Sequence, residues 1–297
     1  MLRITLAFFL TASTLFSAAL GNTPRALLQE DGCNVLVAMS DADTLIAPPN
    51  TPFTSEPKEF QFGYLLNEMT VPVNALLTLG CQMTFATPSG KQPIRDPQGD
   101  NAIFFADGAR LIPTDEAKTE LQRGLFLVED IGSPIRSHGP GSFDQPLSFS
   151  ELKGTQDLEI FDAIFIPGGY TPMLNLWNDE ELGRILRWFH AQERLTVTLC
   201  RGGVALASAA NKKGWIYEGY SMTTYATIED NAASVLNMIL PFYRLPFHPS
   251  EKLLELGAIV KHQPFKSNIV EDRELLTGEN QWSAHALANR FVERLDP

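Results

Sequence analysis

The stretch Leu195-Thr196-Val197-Thr198-Leu199-Cys200-Arg201-Gly202-Gly203-Val204-Ala205-Leu206 decides the fold. Its first half is apolar and β-branched, the composition of a strand covered on both faces. The strand ends on a cysteine, two glycines permit a sharp reversal without a Cβ clash, and a helix follows. Strand, nucleophile and helix in that order put a reactive atom on a tight turn above a helix N-terminus, as G-x-S-x-G does for serine hydrolases. Cys200 is therefore the leading candidate nucleophile. The competing reading is a buried cysteine serving as a small hydrophobe, because free cysteines are among the most buried residues.

Working outward, residues 163–166 form an apolar strand running into Pro167-Gly168-Gly169. A helix over 179–192 follows, with Asn178 as N-cap and Glu181 placed for a capping box. Earlier, residues 34–39 read as a strand, 65–79 as a helix stopped by Gly80, and 83–87 as the next strand. Short strands are expected over 258–260, 268–270 and 275–277. A last helix over about 283–295 carries Ala284, Leu287, Phe291 and Leu295 on one apolar stripe. This alternation implies an α/β fold, a mostly parallel central sheet with helices on both faces. Residues 88–153 break the rhythm with Pro, Gly, Asp and Ser around one helical piece at 114–124. They read as an insertion into one core, either a loop bordering the site or a surface elaboration.

Residues 1–21 combine one basic residue, Arg3, with an apolar core from Ile4 to Phe16 and small residues at 17–19 and 21. That is the pattern of a cleavable secretory signal, so an exported protein, periplasmic or secreted, is expected, with residues 22–297 as a single domain. An uncleaved anchor is the alternative. No later stretch approaches the roughly 20 apolar residues of a membrane helix, and no membrane association is expected after signal removal. The formal net charge of −12 lacks the clustered Lys and Arg that a nucleic-acid binder uses to displace counterions. Of three cysteines, an odd number for an exported chain, Cys33 and Cys81 each precede a strand-like run. In a parallel sheet they would sit at the same end and are the candidate pair, leaving Cys200 free. The run 240–247 is a homodimer surface or a packed loop.

With these residues in view the chain resembles the ThiJ/PfpI superfamily of cofactor-free cysteine proteins, related to class I glutamine amidotransferase domains. The likeness rests on 85–90 (Phe-Ala-Thr-Pro-Ser-Gly), 161–169 (Phe-Asp-Ala-Ile-Phe-Ile-Pro-Gly-Gly), the Cys200 elbow and 275–284 (Leu-Leu-Thr-Gly-Glu-Asn-Gln-Trp-Ser-Ala). It implies a flavodoxin-like three-layer sandwich. The insertion and the Thr277-Gly278 ending look most like the larger heat-shock chaperone and glyoxalase branch, associated with methylglyoxal conversion to lactate, deglycation and holdase activity. The resemblance assigns Glu68 as the carboxylate that hydrogen-bonds the thiol. It places the N–H groups of Gly169 and Arg201 at an oxyanion, and Gly168, Tyr170 and Thr227 around the substrate. Two positions depart from the pattern: Arg201 and Tyr170 stand where histidines are usual. Arginine, with a pKa above about 12, cannot be the base, but its fork suits a carboxylate or enediolate oxygen.

A helix N-terminus is expected to favour thiolate at Cys200, with a buried, protonated Glu68 titrating as its coupled partner. Among the five histidines, none lies beside the elbow in sequence; His138 is the one a loop could deliver, while His190 and His285 read as structural. The third polar member is Thr227 or Glu229. No metal and no cofactor are expected. The functional expectation is a small-carbonyl enzyme of glyoxalase or deglycase type. Its competitors are a holdase or thiol sensor, and an amidase or hydratase on the same scaffold.

Overall fold

The computed structural model describes residues 32–49, 56–106, 112–136, 139–235 and 245–296, with backbone alone at 233–235. The signal-like segment, His138 and positions 240–244 lie outside the described residues. In chain order the elements are β1 (Asn34–Ala38), β2 (Thr44–Ala47), β3 (Lys58–Gln61), α1 (Leu66–Leu79), β4 (Gln82–Thr87), α2 (Asp115–Glu129), β5 (Leu147–Ser148), α3 (Thr155–Leu158), β6 (Ala163–Ile166), α4 (Pro172–Asn175), α5 (Glu180–Ala191), β7 (Leu195–Leu199), β8 (Ser221–Met222), α6 (Thr227–Val235), α7 (Pro249–Glu255), β9 (Ile259–Val260), β10 (Ile269–Asp272), β11 (Leu275–Gly278) and α8 (Ala284–Leu295). A tight 3₁₀ helix, Cys200–Ala209, follows β7 directly.

The central sheet runs β10-β11-β7-β6-β1-β4-β5. All neighbours pair in parallel except β10 with β11. Side-chain alternation along each strand divides the core. Val35 and Val37 of β1 join Met69 and Leu76 of α1 and Leu287 and Phe291 of α8 on one face. Leu36 joins Ile185 and Phe189 of α5 and Leu206 of the elbow helix on the other. Double burial explains why β7 is apolar or β-branched throughout and wholly buried. The expected α/β sandwich with a mostly parallel sheet is what the chain forms. Among the described residues no helix is long and apolar enough to cross a membrane.

The β1–β4 register, Asn34 opposite Gln82, brings the preceding residues together. Cys33 and Cys81 form a disulfide with their Cα atoms 4.4 Å apart. The insertion is built into the core: β5 pairs with the end of β4, α2 lies on α1, and Phe105, Leu127, Phe143 and Phe149 are buried.

Several local expectations shift. Asp179, not Asn178, caps α5 by accepting from the Leu182 N–H at 2.7 Å. Glu181 pairs with Arg184 and makes no capping box. The β2–β3 hairpin has no clear pattern in sequence, because Lys58-Glu59-Phe60-Gln61 lies mainly in solvent. From the 240–247 run, Leu245 is buried and Phe247 packs beside it, in a cluster with Phe62, Tyr170, Met173 and Val204.

Candidate active site

The elbow stores its strain on the nucleophile itself. Cys200 has φ 57°, a left-handed backbone that costs a non-glycine residue about 1–3 kcal/mol. The reversal expected of Gly202 and Gly203 is thus made by Cys200, and the glycines serve close approach. A Cβ on Gly202 would lie 2.5 Å from the Ile166 carbonyl oxygen, and one on Gly203 2.8 Å from Thr224 Oγ1. Thr224 Oγ1 donates to the Cys200 carbonyl at 2.7 Å, which pins the turn.

α1 delivers Glu68 from its first turn, fully buried. Glu68 Oε2 accepts from the Gly169 N–H at 2.9 Å, and the carboxyl lies close enough to the Cys200 thiol for each group to shift the other's ionisation. A Cβ on Gly168 would sit 2.4 Å from Glu68 Oε2 and 2.8 Å from Cys200 Cβ, so a glycine there is what allows the pair to meet. Burial lifts the Glu68 pKa to about 7, against the opposing pull of the Cys200 thiol, the Arg201 charge and the Gly169 N–H. Burial, followed by the negative charge of Glu68, likewise pushes the Cys200 thiol well above its usual range.

The shift thus runs against the expected thiolate. A helix terminus contributes about 0.3–1 kcal/mol, whereas burying an ion costs several kcal/mol. The oxyanion expectation at Gly169 is also corrected, since its N–H is engaged by Glu68. The Arg201 N–H faces the sulfur.

The Arg201 side chain is buried, not turned to the surface. Its guanidinium lies 3.9 Å from the Tyr170 ring centre and 3.8 Å from that of Tyr225. Nη2 donates to Tyr170 Oη at 3.0 Å and to Asp230 Oδ1, while Nη1 lies 3.9 Å from Cys200 Sγ. Asp230 Oδ2 in turn meets His248 Nδ1 at 3.1 Å. Asp230 and His248 are the residues that sequence reasoning missed.

Of the two weighed third members, Thr227 Oγ1 turns to Ser250 Oγ at 2.9 Å. Glu229 accepts from the Phe265 N–H and Asn280 Nδ2; neither reaches Arg201. The available signal was the acidic pair Glu229-Asp230, of which the packing of α6 turns the second to Arg201. Asp96, from the insertion, is buried and close enough to Glu68 and Arg201 to interact with their charges. The insertion therefore borders the site.

Glu68 Oε1 and Arg201 Nε are buried without hydrogen-bond partners. Both belong to groups flanking the sulfur, and unpaired buried polar atoms are costly, which marks them as places for a ligand to bond. Elsewhere, His190 pairs with Glu274 at 2.7 Å and His285 Nε2 with the Phe105 carbonyl at 3.0 Å. Among the described residues no group of three or more His, Cys, Asp or Glu is placed to hold a metal ion.

Comparison with known proteins points the same way. The model of the ThiJ/PfpI family-like proteins matches residues 60–254. A Staphylococcus aureus protein named protein/nucleic acid deglycase HchA is 31% identical over 239 residues, 80% of this chain and 74% of that protein. Two solved structures share the fold. Glyoxalase III from Candida albicans has a TM-score of 0.64 at 16% identity, over 88% of this chain and 96% of that one. The Rapid Encystment Protein from Francisella tularensis has a TM-score of 0.64 at 17% identity, over 89% and 100%.

Proposed function

Because this chain belongs to the ThiJ/PfpI-like family, we propose that it is a cofactor-independent cysteine enzyme acting on small reactive carbonyls, of the glyoxalase or deglycase type. The observation that carries this is the buried contact of Cys200 with Glu68 over the Gly168-Gly169 turn. A carboxyl with a pKa near 7 can both take and give a proton at neutral pH. A dicarbonyl bound here displaces nothing from Arg201 Nε or Glu68 Oε1, which have no partner to lose.

With methylglyoxal as the substrate, the Cys200 sulfur bonds to the aldehyde carbon. The thiol proton passes through Glu68 to the carbonyl oxygen, giving a hemithioacetal. Glu68 then moves the C1 proton to C2 by way of an enediolate, and the proton of the C1 hydroxyl passes to the C2 oxygen, with Arg201 holding the developing negative oxygen. The resulting lactoyl thioester is hydrolysed by water, which frees the thiol. Methylglyoxal and water thus give lactate with no external oxidant or reductant. Arg201, clamped by two tyrosines and an aspartate, serves as an electrostatic anchor and Glu68 alone moves protons.

Export remains part of the proposal. It rests on residues 1–21, and the Cys33–Cys81 disulfide supports it, because such bonds persist in oxidising compartments. We propose in the same way a small carbonyl as its partner and a homodimer as its assembly. The exposed thiolate that a redox sensor needs is not what Cys200 supplies, buried at 1% exposure with its thiol pushed up by that burial.

The deciding experiment follows methylglyoxal loss and lactate formation by the protein and its Cys200→Ser variant, without glutathione or metal. Turnover that disappears in the variant supports the assignment. No lactate from the unaltered protein overturns it.

A further inference from the structure

We infer that His248 is a positioning residue for the nucleophile, acting through Asp230 and Arg201 as the last link of an alternating chain of charges that begins at Cys200. The links are Cys200 Sγ to Arg201 Nη1 at 3.9 Å, Arg201 Nη2 to Asp230 Oδ1, and Asp230 Oδ2 to His248 Nδ1 at 3.1 Å. The first three members are shut away from water, with side-chain exposures of 5% for Arg201 and 1% for Asp230 and with Cys200 at 1%. His248 is 21% exposed. It opens on a hollow of about 240 Å³ lined also by Trp177, Phe247, Glu251, Lys252 and Glu255. Bulk pH thus reaches the chain through His248, while Glu68, at 0% exposure, has no such opening.

The sign of the coupling follows from charge. A proton on His248 adds one positive charge to the chain that Arg201 and Asp230 carry towards Cys200, a site where Glu68 lies against the thiol and Asp96 lies near Glu68 and Arg201. Removing that proton makes a thiolate costlier in a low-dielectric interior. Thiolate formation and His248 protonation therefore favour each other, reciprocally.

The groups facing His248 bear on this in both directions. Asp230 on α6 holds the ring protonated above its ordinary range, Glu251 on its own helix adds to that, and burial and the Arg201 charge oppose it. Lys252 and Glu255, also on α7, line the hollow with opposite charges.

The inference rests on Cys200 being the nucleophile, and its test needs no substrate. Since Cys33 and Cys81 are joined and Cys200 is the free cysteine, thiolate ultraviolet absorbance against pH reports Cys200 without requiring a reagent to enter. It is measured on the full protein, with Cys200→Ser as the blank, for wild type, His248→Gln and His248→Arg. The guanidinium in His248→Arg keeps its charge throughout the titration and is expected to bring thiolate in about one pH unit, or about tenfold in acid constant, below His248→Gln. Wild type is expected to follow His248→Arg while the ring keeps its proton and His248→Gln once the ring has lost it. Coincident curves for all three proteins overturn the inference, whether or not methylglyoxal is consumed. Should His248→Gln not fold, His248→Asn replaces it as the uncharged member, with the same two outcomes.

Discussion

Glu68 shows how much one residue's meaning depends on where its helix points. In sequence it is a carboxylate in the first turn of a helix, a place carboxylates favour for the dipole alone; in the fold it is fully buried against a thiol. Its pKa, raised from 4.5 to about 7, has a stability sign. The folded state prefers the protonated form, so this group's contribution is fully present below pH 4.5 and lost as the pH rises through 7, by about 3 kcal/mol. Glu68→Gln keeps the shape without the ionisation. Its denaturant midpoint is expected to fall less than that of wild type between pH 5 and pH 8, while turnover drops about 10²–10⁴-fold through loss of the proton carrier. Parallel midpoint curves for the two proteins would show that Glu68 ionises freely in the fold.

At the scale of elements, the site is made by three junctions: the start of α1, the turn after β6 and the elbow after β7. The second is written in glycine and the third in a strained backbone, with Gly169 at φ 90° and Cys200 at φ 57°. Gly168→Ala puts a Cβ 2.4 Å from Glu68 Oε2, so Glu68 must leave Cys200. The expected result is loss of turnover together with about 1–3 kcal/mol of stability. Gly80, at the end of α1, has φ 94° and no atom within 4 Å of an added Cβ. Gly80→Ala is expected to cost about 1 kcal/mol from backbone strain and leave turnover unchanged. Equal activity loss in both variants would mean that helix stability, not the Glu68 contact, governs the site. Most junctions were legible because glycines and apolar runs are local signals. The β2–β3 hairpin was not, because half of it is polar and solvent-facing, and the cap of α5 moved one residue because Asn178 and Asp179 are equally able caps.

For the whole molecule, the disulfide ties β1 to β4 at the end of the sheet where the strands begin, away from the elbow at the end of β7. It closes 48 residues of chain, which the chain-entropy model values at about 4 kcal/mol. Cys33→Ala is expected to lower the unfolding free energy from denaturant titration by that order at 25 °C and to keep turnover while folded; an unfolding free energy unchanged from wild type would mean the denatured chain gains no freedom from its loss. The parallel sandwich, the elbow and the free thiol follow from composition and periodicity, because strand burial and tight turns impose local demands that single residues announce. The upward push on the thiol, the use of the Gly169 amide, and the Arg201–Asp230–His248 relay do not. They bring together residues well separated along the chain, Asp230 with Arg201 29 positions away and with His248 18 away, and Glu68 with Gly169 101 away, and only packing decides which of several equally polar side chains, Thr227, Glu229 or Asp230, faces the buried guanidinium.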